Sequence, residues 1–206
     1  MIVVSYQYML EAIISFLVLL NPIAMFIFLQ PVIRRLSPKE LMLVLAKASL
    51  AALAIFVFFA LVGDIFFQKI LQVQFDSFRI FGGLIITYLS FVMIVQGKRS
   101  FIMYNEDHSV ISSEIVMPLM VGAGTISLSV LMGKSFGKTE TVVALALVIA
   151  ITYTLIAGLT LLRHGIVKQF EKAFDKNMDM ALRLIAFFAG TIGLNMVVVG
   201  IQHIWS

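Results

Sequence analysis

AIISFLVLLNPIAMFIFLQPVI, residues 12–33, contains no Asp, Glu, Lys or Arg, yet Asn21-Pro22 splits it in the middle. A bilayer core about 30 Å thick needs roughly 20 mainly apolar residues to be crossed by a helix, and this stretch is long enough. A soluble amphipathic helix of the same length would carry a charged face. The same lack of charge recurs over 80–96, between Glu114 and Lys134, and over 141–162.

Working outward, six spans separated by polar breaks are expected near 8–32, 41–63, 78–96, 115–132, 141–162 and 181–204. The chain is 61% apolar and 13% charged over 206 residues, with a mean hydropathy of +1.06. A soluble domain of this size cannot bury that much apolar surface, so most of it must face lipid. Barrel strands would alternate apolar with polar over about 10 residues, and Ala51 to Val62 does not alternate. The expected class is all-α: a polytopic membrane protein.

The sequence pI of about 9.4 would suit a nucleic-acid partner if the basic residues formed one stripe. They sit instead in short connections between spans, so no nucleic acid is expected. Arg34, Arg35, Lys39, Lys98, Arg99, Arg163, Lys168, Lys172, Lys176 and Arg183 lie on one side of the six-span plan; Lys69, Arg79, Lys134 and Lys138 lie on the other. The basic-rich side is expected to be cytoplasmic, which puts both termini outside. With no Cys, disulfides and thiolate metal sites are absent, and neither metal nor cofactor is expected. The amino terminus lacks the basic region of a cleavable signal, so the first span is expected to be retained.

Cutting the chain near residue 104 gives two halves, 1–103 and 104–206, each with three expected spans. The closing spans align, Ser77-Phe78-Arg79-Ile80 on Ala181-Leu182-Arg183-Leu184, which also places Thr87 on Thr191. The middle spans match in little beyond hydropathy. Because three is odd, the second copy enters the membrane inverted. In inverted-repeat transporters the substrate lies near the midplane between repeats, and rocking one against the other alternates access. Lys168 to Lys176, with Phe170 and Phe174 four apart, reads either as a short interfacial helix or as a solvated loop.

Pro22 removes a backbone donor and disfavours helical geometry at Asn21, so span 1 should be interrupted there. Broken backbone is tolerated at membrane depth only against protein or a watery cavity. A plain proline kink is the rival account. Span 4 carries a second weak point, Met117-Pro118-Leu119-Met120-Val121-Gly122-Ala123-Gly124-Thr125-Ile126-Ser127. Gly122 and Gly124 permit unusual dihedrals, while Thr125 and Ser127 supply hydroxyls that can cap a helix or bind a ligand. Here the rival is close packing through small residues. Two interruptions in corresponding places of two halves favour a substrate site.

Asn21-Pro22-Ile23-Ala24 followed by Phe28-Leu29, Pro118-Leu119 with Gly122-Ala123-Gly124-Thr125-Ile126-Ser127, and Phe78-Arg79-Ile80-Phe81-Gly82-Gly83 together resemble the MarC family. That family includes small neutral amino acid transporters of bacteria and archaea. This chain departs from its usual pattern at Ala123, where proline is typical, and at Ala24, where glycine is common. The resemblance, which covers nearly the whole chain, implies an inner-membrane transporter of glycine, alanine or similar solutes, with a fold like that of the lysine-exporter superfamily. Efflux of drugs or other small metabolites is a minor alternative.

A zwitterionic substrate needs donors for its carboxylate, offered by N–H groups around Gly124 and Thr125. It also needs acceptors for its ammonium, such as the Asn21 side chain and freed carbonyls. Thr87, Thr191 and Asn195 either line that site or bond between helices. Lys47, inside span 2, either snorkels to the interface or serves as a gate. Glu11 and Asp64 are outer-mouth residues at best. No titratable group is expected at the midplane, which favours facilitated diffusion or sodium-coupled movement over a proton relay. No convergent set of Ser with His, paired carboxylates or metal ligands points to an enzyme. A non-transporting assembly subunit is the remaining alternative, and self-association is compatible with either.

Overall fold

The computed structural model describes residues 2–29, 33, 36–97, 120–165 and 168–205. The first apolar segment forms α1 (Ile2–Leu20) and α2 (Pro22–Phe28), separated by Asn21 alone. Then come α3 (Pro38–Ile65), running into a π-helical turn at Phe66–Ile70, and α4 (Phe75–Gln96). The second half supplies α5 (Ala123–Ser135), α6 (Lys138–Gly165) and α7 (Lys168–Trp205).

Among the described residues, five helices are long and apolar enough to cross a membrane: Gln7–Ile27, Pro38–Gly63, Phe75–Gln96, Lys138–Arg163 and Lys176–Trp205. The expected span near 115–132 lies partly outside the described residues, and its described part is the 13-residue α5. Residues 168–176 read as an interfacial helix or a loop from sequence; they are the continuous start of α7.

Local chemistry sets the starts of α3 and α6. At α3, Ser37 accepts from the Glu40 backbone N–H, and its own N–H donates to Glu40 Oε2 at 2.9 Å, with Pro38 entering the helix behind it. At α6, Gly137 N–H donates to Glu140 Oε2 at 3.2 Å. A carboxylate at the third helical position thus holds the incoming chain at both helices. The two helices have the same length, 28 residues. Six of their buried positions also coincide at an offset of 100: Leu41, Leu45, Ala48, Ser49, Ala52 and Phe56 match Thr141, Leu145, Val148, Ile149, Thr152 and Ile156.

These faces meet Phe16, Leu20 and Met25 of the first helix pair in one apolar core, with the Phe16 and Phe56 rings edge to face at 5.0 Å. Outside that core the chain exposes Leu50, Tyr88, Phe91, Leu161 and Leu184, each by about half or more. So much large apolar surface on the outside fits a chain whose solvent is lipid.

Helices α4 and α7 run antiparallel in close contact. A Cβ at Gly83 would stand 2.5 Å from the Gly193 carbonyl oxygen, and one at Gly190 would lie 3.1 Å from Ser90 Cβ. Polar clasps close both ends of the pair. Arg183 Nη1 donates to the Ile94 carbonyl at 2.6 Å while its Nε pairs with Asp179. At the other end His203 lies 3.3 Å from Asp76. Helix α5 also runs antiparallel to α4: its start packs at Gly82 and Ile86, and Lys134 near its end caps the Phe75 ring at 4.8 Å.

Candidate functional site

Both expected interruptions exist, and they differ in kind. Asn21 sits in the left-handed region (φ 46°, ψ 71°), buried, and its Oδ1 accepts from Ala24 N–H at 3.0 Å. Asparagine tolerates that conformation better than most residues. Helical bonding resumes at once, because Asn21 N–H still donates to the Leu17 carbonyl and Met25 N–H to the Asn21 carbonyl. The break is therefore one residue wide. Pro22 has no N–H to give the Val18 carbonyl one turn back, which leaves that acceptor without its helical donor. The Asn21 oxygen, in contrast, already accepts one bond from its own helix.

The second interruption is wider. Val121 and Gly122 are non-helical, and Gly122 is the extended N-cap of α5 (φ −123°, ψ 169°). Thr125, buried, accepts from Gly122 N–H at 3.0 Å, and its hydroxyl lies 3.1 Å from the Met120 carbonyl and 3.0 Å from that of Gly122. That single side chain ties the break together. The next N–H groups, of Ala123 and Gly124, have no helical acceptor and carry the positive end of the helix dipole.

The two glycines divide the functions that the sequence left open. Gly124 packs: a Cβ there would collide with the Ile86 side chain. Gly82 provides for the same contact from the other side, since its Cβ would lie 3.1 Å from the Ala123 carbonyl and 3.2 Å from Gly124 N. Gly122 is exposed, with nothing within 4 Å of where a Cβ would stand. Because Gly82 and Ile86 lie near the middle of α4, this accessible start of α5 sits at mid-bundle depth.

Ser127 is fully buried, and its hydroxyl has no partner among the described residues. Ser49 on α3 and Thr152 on α6 are also buried and unpartnered, whereas Ser129 and Thr160 bond back to carbonyls of their own helices. Sequence reasoning missed Ser49 and Thr152. Their signal was available: each is a hydroxyl at the same spacing as the buried residues of its helix. Arg79 Nε is a further buried group without a partner.

The remaining expected residues lie elsewhere. Thr87 donates to the Gly83 carbonyl at 2.8 Å and abuts Gly193, within the α4–α7 contact. Thr191 is exposed and bonds back to the Phe187 carbonyl at 3.0 Å; Asn195 is exposed one turn further along. Neither is brought together with the interruptions. Lys47 is exposed on α3, in the stripe that includes Leu43 and Leu50, as snorkelling requires. Glu11 is exposed near the start of the first span, 3.4 Å from Gln7. The side chain of Asp64 lies outside the described residues.

The family model described as MarC family integral membrane protein matches residues 6–205. The UPF0056 membrane protein PH0214 of Pyrococcus horikoshii is 23% identical over 155 residues, covering 75% of this chain and 73% of that protein. No solved structure matches the chain. A match reaching from the first span to the end of α7 is decisive, and the chain belongs to the MarC family of integral membrane proteins.

Proposed function

We propose that the chain is a transporter of small neutral amino acids such as glycine and alanine, working by alternating access between two inverted three-helix repeats. The observation that carries this reading is the accessible start of α5 at Gly122, level with the middle of α4. Open N–H groups at a helix start attract a carboxylate, and discontinuous helices at the midplane are where such transporters bind their substrates.

The repeat is supported by α3 and α6, which share length, carboxylate cap and buried register at an offset of 100. The α4–α7 crossing adds to it. Its contacts pair Asp76 with His203, Ile94 with Arg183 and Ser90 with Gly190. Between the end pairs lies Thr87, packed against Gly193, the position that aligning the closing helices equates with Thr191.

In the proposed site, the N–H groups of Ala123 and Gly124 hold the substrate carboxylate, with Ser127 adding a hydroxyl. The Val18 carbonyl freed by Pro22 offers an acceptor to the ammonium. Packing of Gly82 and Ile86 against the break keeps the pocket small. Placement in the bacterial inner membrane with both termini outside belongs to the same reading, as does movement by facilitated diffusion or sodium coupling.

Uptake into proteoliposomes tests this with glycine, alanine, serine, leucine, lysine and a cationic drug, with and without sodium or proton gradients. Saturable flux of glycine and alanine is expected, with leucine, lysine and the drug excluded. Absence of saturable amino acid flux would sink the reading, and transport that collapses with the proton gradient but ignores sodium would remove the coupling.

A further inference from the structure

Among the described residues, two amide side chains lie deep inside an apolar span, and the structure treats them oppositely. Asn21 is buried and bonded to Ala24. Asn195 is exposed, and its side chain makes no hydrogen bond with any described residue. It stands eight residues before His203, about 12 Å along the helix at 1.5 Å per residue, too far for a short amide to reach the interface. An unpaired amide in hydrocarbon costs several kcal/mol.

The side of α7 that carries Asn195 is otherwise uncovered. Leu182, Ala186, Ala189, Met196 and Gly200 are buried, at spacings of three, four and seven that keep them on one side. Leu184, Phe187, Thr191, Asn195 and Val198 follow the opposite stripe at the same kind of spacing and are all exposed.

We infer that this outer stripe of α7 is the contact surface of a homodimer, in which the Asn195 amides of two copies pair across a two-fold axis. An amide carries both donor and acceptor, so it complements itself. Two copies inserted in the same orientation hold Asn195 at the same depth, and a two-fold axis along the membrane normal brings the amides together without further adjustment. A different partner would need a matching polar group placed at that depth independently. Thr191, one turn away, is small and already bonded within its helix, so it lets the helices approach without leaving a new unpaired group.

The chain has no cysteine, so single-cysteine variants of the full chain in membranes give an unambiguous test. Under mild oxidation Thr191→Cys is expected to form a disulfide-linked species at twice the 22.9 kDa of the monomer. Leu50→Cys and Leu147→Cys, on exposed faces of α3 and α6, are expected to stay monomeric. Adding Asn195→Leu to Thr191→Cys should cut the linked fraction about tenfold, the size of one interhelical hydrogen bond, while Asn195→Gln keeps most of it.

The inference fails if Thr191→Cys links no better than Leu50→Cys, or if it links to a protein of another mass. It also fails if Asn195→Leu leaves the linked fraction unchanged, including the case where uptake falls without loss of linkage, which would place the amide on the transport path.

Discussion

Asn21 holds a backbone conformation that costs an ordinary L-residue about 1–2 kcal/mol, and its side chain caps Ala24 N–H. The two contributions can be separated by substitution. Asn21→Gly keeps the φ of 46° without strain and loses only the cap, typically a few tenths of a kcal/mol for Gly. Asn21→Ala loses the cap and acquires the strain, about 2 kcal/mol together. Denaturant titration in mixed micelles should therefore rank wild type first, Gly close behind and Ala well below. Equal Gly and Ala midpoints would mean that the left-handed turn is not held in the membrane. Thr125 is decided the same way: Thr125→Ser keeps the oxygen that accepts from Gly122 N–H, whereas Thr125→Val removes it. Alanine uptake is expected to survive in Ser and to fall at least tenfold in Val. At this scale the sequence was informative about Asn21, Gly122 and Thr125, because Pro and Gly announce backbone exceptions directly. It was silent on which partner a side chain takes, so the capping bond from Ala24 N–H to the Asn21 oxygen was not legible there.

Among the elements, some glycines of α4 to α7 meet backbone, some meet a side chain and some meet nothing. Gly83 faces the Gly193 carbonyl and Gly133 faces the Ala60 backbone, so neither can accept a methyl without separating two helices. Gly158, on α6, has nothing within 4 Å. Ala substitution should thus change sign by position. Gly83→Ala and Gly133→Ala are expected to destabilise by about 1–3 kcal/mol, as overpacking does, and Gly158→Ala to stabilise by up to about 1 kcal/mol through helix propensity. Uniform destabilisation in the same micelle titration would contradict the packing described. Helix positions were legible from apolar length alone, but the likeness of α3 to α6 was not. Glu40 and Leu45 recur as Glu140 and Leu145, but Leu41 matches Thr141 and Ser49 matches Ile149, pairs that share no side-chain chemistry and are joined by burial. What the halves share there is a Glu cap, which residue identity reports, and a buried register, which it does not.

At the scale of the molecule, the number of crossings fixes where the termini lie. The end of α4 at Gly97 lies beside Asp179 and Arg183 near the start of α7, while Lys134 at the end of α5 covers Phe75 at the beginning of α4. Between Gly97 and Lys134 the chain must therefore pass from one end of the bundle to the other, whatever course residues 98–119 take. Added to the five long apolar segments, that passage makes an expected total of six, and an even number returns both termini to one side. By the positive-inside rule we propose that this side is the outer one. On a chain without cysteine, Gln7→Cys, Lys138→Cys and Gln202→Cys should react with a membrane-impermeant maleimide added to intact cells. Lys39→Cys, exposed at the start of α3, should react only after the membrane is opened. Five crossings would instead put Gln7 and Gln202 on opposite sides, and the second half could then not be an inverted copy of the first. The labelling thus tests the geometric condition on which alternating access between two repeats depends, independently of any substrate.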